Sequence, residues 1–172
     1  DKYSNPVWHI HNGNPPKEKI VMTFSMLLNL VGSSNADDKK TLWKFINRFH
    51  KNAKPESNPI LDSLTEHAIK FFKDKLKPNK VYKKPSEQEK KALTNLASNI
   101  EKISDNMPPE EIQTIVYTVG KENGYEKNLR DWFKLIYQVM FGDIDGPRMG
   151  YFISFFGLNE TIELINKKIN NN

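Results

Sequence analysis

An all-α fold is predicted by three features of this sequence. Apolar residues recur at helical spacing in eight separate segments, Pro, Gly, Asn and Ser cluster between those segments, and no pair of runs alternates apolar with polar as half-buried strands do. The expected architecture is a bundle of about eight helices, arranged as two helical halves joined by a Lys-rich connector. In chain order this gives an irregular leader over 1–19, a helical subdomain over 20–85 and a second helical domain over 86–172. There is no internal repeat of fixed period.

The leader holds three prolines, a glycine and several asparagines, and it packs only if Val7, Trp8 and Ile10 find a surface. From Thr23 the pattern turns helical, with Phe24, Leu27, Leu28 and Val31 on one face and Gly32-Ser33-Ser34 as the stop. A second helix opens near Ala36–Asp38, acidic at its first turn, and aims Leu42, Phe45, Ile46 and Phe49 inward. A polar loop over Lys51–Pro59 precedes a third helix with Ile60, Leu64, Ala68, Phe71 and Phe72, which runs out at Leu76–Pro78. In the connector that follows, Val81, Tyr82 and Pro85 are expected to lie extended over a neighbour. Ser86 with Glu89 reads as a capping box opening the fourth helix, whose stripe is Leu93, Leu96, Ala97, Ile100 and Ile103. Pro108 and Pro109 start a fifth with Ile112, Ile115, Val116 and Val119, ending near Asn123-Gly124. The sixth begins near Asn128 and carries Leu129, Trp132, Phe133, Ile136, Tyr137 and Met140 before Gly142.

The last two helices hang from a turn at Asp145-Gly146-Pro147. Pro147 fits the first helical position, Met149, Phe152, Ile153 and Phe156 follow at helical spacing, and Gly157 is a stop. Asn159 then caps a last helix with Ile162, Ile165 and Ile169. The turn leaves the N–H groups of Arg148, Met149 and Gly150 without intrahelical partners and sets a guanidinium beside them, an arrangement suited to phosphate.

The chain has 172 residues, 37% hydrophobic and 11% aromatic, enough for a packed interior under a Lys- and Asn-rich surface. With no cysteine, disulfides and thiolate zinc sites are excluded. No apolar run approaches the roughly 18 residues a membrane span needs, and no signal-peptide pattern opens the chain, so no membrane partner and a cytoplasmic location are expected. The start at Asp1 suggests a piece of something longer. The net charge of +5 is concentrated: Lys70, Lys73, Lys75, Lys77, Lys80, Lys83 and Lys84 stand against the single Asp74, a local +6 that leaves about −1 for the rest. That concentration suits contact with a nucleic-acid backbone, for which Lys77, Lys80, Lys83 and Lys84 are the candidates, or it is a solvated linker. His9 and His11 form a His-x-His pair, but only His50 and His67 are available to complete a site, so no metal is expected.

Two further classes fit a helical chain of this kind. One is a DNA-binding regulator, disfavoured because the last helix is acidic early and poor in base-reading side chains. The other is a helical protein-interaction module using Trp43, Trp132, Phe152 and Phe155, which requires those aromatics to be exposed.

The run LRDWFKLIYQVMFGDIDGPRMGYFISFFGLNETIELI resembles the C-terminal end of class I lysyl-tRNA synthetases and, more distantly, that of glutamyl-tRNA synthetases. The likeness extends through NPVWHIHNGNPP at Asn5–Pro16 and FSMLLNLV at Phe24–Val31. It implies the anticodon-binding part of an enzyme that joins lysine to tRNA(Lys) using ATP, with the leader as the connection from a catalytic domain outside this sequence. HIHNG superficially resembles the His-Ile-Gly-His signature of such active sites. However, His11 stands where backbone approach to ATP needs glycine, and no apolar strand precedes it, so no catalytic residue and no cofactor are assigned to this chain. Lysine codons imply uridines at the second and third anticodon positions. A uridine edge offers two carbonyl acceptors flanking one N–H donor, so its reader needs donors such as Arg148 and an acceptor such as Asp145 or Asp143. The resemblance places Gly146, Pro147 and Met149 at the turn that approaches the anticodon in the glutamyl enzymes. Arg148 replaces a glycine of those enzymes, so its role is argued from chemistry, with Met149 or a neighbour expected to support a stacked base. Arg130 and Lys127, at the start of the sixth helix, are the alternative readers.

Overall fold

A computed structural model of the protein describes residues 21–170, and the expectations about Val7, Trp8, His9, Ile10 and His11 lie outside the described residues. Those described form eight α-helices and no strand: α1 (Phe24–Ser34), α2 (Lys39–Phe49), α3 (Pro59–Phe71), α4 (Glu87–Ile100), α5 (Pro109–Gly120), α6 (Leu129–Met140), α7 (Met149–Phe156) and α8 (Leu158–Asn170). Local capping chemistry sets most of the starts. Thr23 accepts the Met26 N–H at 3.2 Å and Asp38 accepts the Thr41 N–H at 2.8 Å, each satisfying an orphan donor. Ser86 and Glu89 form the reciprocal capping box. Pro59 and Pro109 occupy first-turn positions, where their missing N–H removes nothing.

Several ends differ from the sequence expectation. α1 is stopped by Asn35, which takes the left-handed conformation (φ 51°), and Gly32 to Ser34 belong to its last turn. Gly32 serves packing, since a Cβ there would come within 2.7 Å of the Phe72 ring. α3 passes into a π-helical turn over Phe72–Leu76, which slips the register so that Phe72 is buried and Phe71 is 43% exposed. Phe49, also expected inside, is 42% exposed and packs its ring 4.8 Å from that of Phe155. Ile103 is buried as expected but lies beyond the end of α4. Pro147 precedes the α7 N-cap, which is Arg148 in an extended conformation. Asn159 sits exposed inside the first turn of α8, whose first carbonyl acceptor is Gly157 O, taken by the Thr161 N–H at 3.0 Å.

The interior is one continuous apolar cluster running from Met22 to Ile165. At its centre lies α7, apolar almost all round, with Met149, Phe152, Ile153, Phe155 and Phe156 buried. It packs against α5, α2, α8 and α1. Burying a side chain as completely as Phe152 contributes about 2–3 kcal/mol of transfer free energy. α5 approaches so closely that only glycine fits at 150. Arg48 of α2 donates to the Phe156 carbonyl and pairs with Glu160, and the Phe45 and Phe156 rings are 5.5 Å apart, so the first three helices share their core with the last two.

Between α3 and α4 the connector runs extended along the end of α6. The Lys83 N–H donates to Gln138 O at 3.0 Å, and the Lys168 ammonium sits 3.4 Å from the Tyr82 ring centre. Val81 is 79% exposed; its carbonyl lies against Gly142.

Candidate nucleic-acid interface

Tyr137 of α6 holds the turn from Phe141 to Arg148 against that helix. Its hydroxyl donates to Pro147 O at 2.9 Å, its carbonyl accepts from Phe141 N–H at 2.8 Å, and its ring closes on Gly146. A Cβ at 146 would come within 2.7 Å of that ring, so the glycine allows the chain to pass flat against the aromatic face. Burial pushes the Tyr137 phenol above its ordinary value, with Tyr117 and Asp145 adding to the effect. The phenol therefore stays protonated and keeps donating to Pro147.

Beside this turn, α5, the start of α6 and the turn itself enclose a cleft of about 600 Å³. It is lined by Tyr117, Arg130, Phe133, Tyr137, Asp145 and Arg148, with Gln113 and Lys134 at its walls. Tyr117 is 41% exposed and meets the half-buried Phe133 ring edge-on at 5.0 Å, leaving aromatic surface turned to solvent. The Arg148 guanidinium lies 5.5 Å from the Tyr151 ring centre, over an aromatic face. Tyr151 in turn donates its hydroxyl to Glu110, and that hydrogen bond holds the Glu110 carboxyl below its usual range. Three cations, Arg130, Lys134 and Arg148, thus face two carboxylates, Asp131 and Asp145, around aromatic walls.

The structure brings Asp145, Arg148 and Arg130 to this cleft, while Lys127 is exposed but is not among the residues lining it. Asp143, the other proposed acceptor, is paired with Lys80, which leaves Asp145 as the carboxylate of the turn facing the cleft. Met149 is fully buried in the core, so the aromatic surface available to a base belongs to Tyr117 and Phe133 instead. Of the three N–H groups expected to be open at the turn, that of Gly150 is taken by the Gln113 Oε1 at 2.7 Å. Sequence reading missed Tyr117 and Gln113. The signal for Gln113 was its spacing: 109, 113, 116 and 120 share the inner face of α5, and a polar residue on an apolar face needs a buried partner.

In the connector, Lys80 is tied to Asp143 and Lys83 Nζ to Glu89 at 2.6 Å. Among the described residues Lys70, Lys73, Lys75, Lys77 and Lys84 are exposed and form no ion pair, so the open positive charge lies on either side of the two tethered lysines. Lys77 and Lys80 also line a second cavity of about 620 Å³ together with Lys167 and Lys168 of α8. The aromatics Trp43, Trp132, Phe152 and Phe155 are all buried, so they offer no protein-docking surface. No group of three metal-ligating side chains occurs among the described residues, and no described helix is long and apolar enough to cross a membrane.

No family model and no solved structure matches the chain. Curated proteins do match. The lysine–tRNA ligase of Rickettsia bellii is 43% identical over 169 residues, covering 98% of this chain and 32% of that protein. That of Rickettsia conorii is 43% identical over 165 residues, and that of Roseobacter denitrificans 42% over 164, each covering 95% of this chain and 31% of the relative. The chain therefore spans about a third of the length of the curated relatives it matches.

Proposed function

We propose that this chain is the anticodon-binding helical part of a class I lysyl-tRNA synthetase. Its full-length form would join lysine to tRNA(Lys) in the cytoplasm with ATP, through a catalytic domain outside this sequence, and the isolated chain would not activate lysine. The observation that carries the reading is the cleft at the 143–148 turn, where solvent-facing aromatic rings stand among three cations and one turn carboxylate. The similarity to lysine–tRNA ligases over nearly the whole chain supports the lysine–tRNA ligase side of this reading.

The chemistry matches what a splayed loop base demands. A base leaving its stack finds the faces of Tyr117 and Phe133, and each base–aromatic contact contributes roughly 1–3 kcal/mol. Uridine carbonyls accept from Arg130 or Arg148, and its N3–H donates to Asp145. The exposed lysines at 77 and 84 hold phosphates without reading sequence. The domain of residues 86–172 supplies the cleft, and the helices of 20–85 brace it through α2 and α7.

The test is binding to two RNA hairpins, one with a uridine-rich loop and one with cytidines in the same positions, before and after Arg148→Ala. Arg148→Ala is expected to weaken the uridine hairpin about tenfold or more and the cytidine hairpin much less, with the melting temperature unchanged. An affinity ratio that stays constant would assign this turn to scaffold.

A further inference from the structure

Gln113 lies on the inner face of α5 and is 6% exposed. Its Oε1 accepts the Gly150 N–H at 2.7 Å in a buried contact between α5 and α7. Only the oxygen end of an amide can meet an N–H donor, so this one bond fixes the orientation of the side chain. The Nε2 end is then directed away from Gly150. Among the described residues it has no hydrogen-bond partner, yet it is not sealed from solvent, and Gln113 lines the cleft that holds Arg130, Asp145 and Arg148. A nearly buried amide whose donors find nothing in the protein must be satisfied from the cleft, by water when it is empty and by a ligand acceptor when it is filled.

We propose that Gln113 is a specificity-determining residue of this cleft, its Nε2 donating to the O4 carbonyl oxygen of a uridine base seated there; the proposal rests on the anticodon-binding reading above. A uridine edge reads acceptor, donor, acceptor, and the cleft can answer it with the Gln113 amide, the Asp145 carboxylate and an arginine. Cytidine places an amino group where uridine has its O4, so the fixed amide would face a donor with a donor. A free glutamine reads either base by flipping its amide. Gln113 cannot flip, because the turned amide would set its NH₂ against the Gly150 N–H inside the packed α5–α7 contact, leaving a buried donor unmet. The tie to Gly150 converts an indifferent side chain into a selective one.

The experiment uses the whole 172-residue chain and the same uridine-rich hairpin, together with hairpins in which each loop uridine is replaced singly by cytidine. Gln113→Glu keeps an oxygen for the Gly150 N–H and replaces the donor with a carboxylate oxygen. At one loop position the uridine-to-cytidine affinity ratio should fall at least tenfold, since the new oxygen repels O4 and accepts from the cytidine amino group. In the wild-type protein, the side-chain amide resonances of Gln113 should shift on adding the uridine hairpin and stay in place with the matching cytidine hairpin. This measurement decides the question if the variant does not fold. A uridine preference that survives Gln113→Glu in a folded variant, or amide resonances that do not move while the hairpin binds, overturns the assignment to Gln113 alone. A wild-type protein that binds both hairpins equally overturns this inference and the anticodon reading together.

Discussion

Replacing Gly150 with alanine should open the packed centre of the molecule. A Cβ at 150 would fall on the Pro109 carbonyl oxygen, and it would lie 2.8 Å from the Gln113 backbone nitrogen and 2.9 Å from the Gln113 Cβ. Two of these three neighbours are backbone atoms of α5, so no side chain can swing aside; α7 must back away by something near 1 Å. Overpacking of this kind costs about 1–3 kcal/mol. The same retreat stretches the buried hydrogen bond from Gly150 N–H to Gln113, and a buried donor left unmet costs about 1–3 kcal/mol more. Against this, alanine gains at most about 1 kcal/mol of helix propensity. The balance is a loss of about 3 kcal/mol, which for a chain of this size lowers the melting temperature by roughly 6–12 °C. Thermal unfolding followed by circular dichroism, with urea titration as an independent measure, reads the effect directly. A melting temperature within about 2 °C of the parent would refute the reasoning, because it would mean that the α5–α7 contact yields without cost.

Two further outcomes follow from the charges. Lys77→Ala with Lys84→Ala should flatten the log–log salt dependence of RNA binding by about 1.4, or about 0.7 for each phosphate no longer held, whereas Lys80→Ala should change it little because Lys80 is held by Asp143; equal effects at all three positions would contradict the division into tethered and open lysines. Asp62, held by the Lys39 hydrogen bond, and Glu160, held by Arg48, both sit below their ordinary values of 3.8 and 4.5. A depressed carboxylate stabilises the fold fully above its unfolded value, and that stability disappears as pH falls through the lower folded value. Stability should therefore be flat from neutral pH to about 5 and decline below it, with these part-exposed pairs contributing about 1 kcal/mol together after solvent screening. Asp62→Asn should remove part of the decline, as measured by urea midpoints against pH.

The parts of the fold readable from sequence were those that depend on near neighbours. The capping box at Ser86 and Glu89, the prolines at 59 and 109 and the apolar stripes of α4 and α6 are all settled within a few residues. Where the expectation failed, the deciding partner was distant. Gly32 resembled a helix stop until the Phe72 ring was found against it, and Phe71 resembled a core residue until the π turn moved Phe72 into its place. Pro147 was displaced from the helix by the Tyr137 hydroxyl, which claims its carbonyl. The site shows the same division. Arg130, Arg148 and Asp145 announced themselves as charges at turns, but Gln113 acquired its meaning from Gly150, 37 residues later, and Lys80 from Asp143, 63 residues later.

The position of α7 has a consequence for how the chain folds. This helix occupies the centre of the core although it lies near the end of the described chain, and it joins α2 through the Arg48–Phe156 contact across 108 residues. Contacts of such separation form late, because the intervening chain must lose its freedom before they return any stabilisation. Until α7 arrives, the parts of α2 and α5 that pack on it lack that cover. Between the appearance of α2 and that of α7, a growing polypeptide would thus carry an open apolar seam, the condition under which association with other chains competes with folding. Slow refolding and aggregation at high concentration are the kinetic signature expected where a central helix follows most of the helices it packs against.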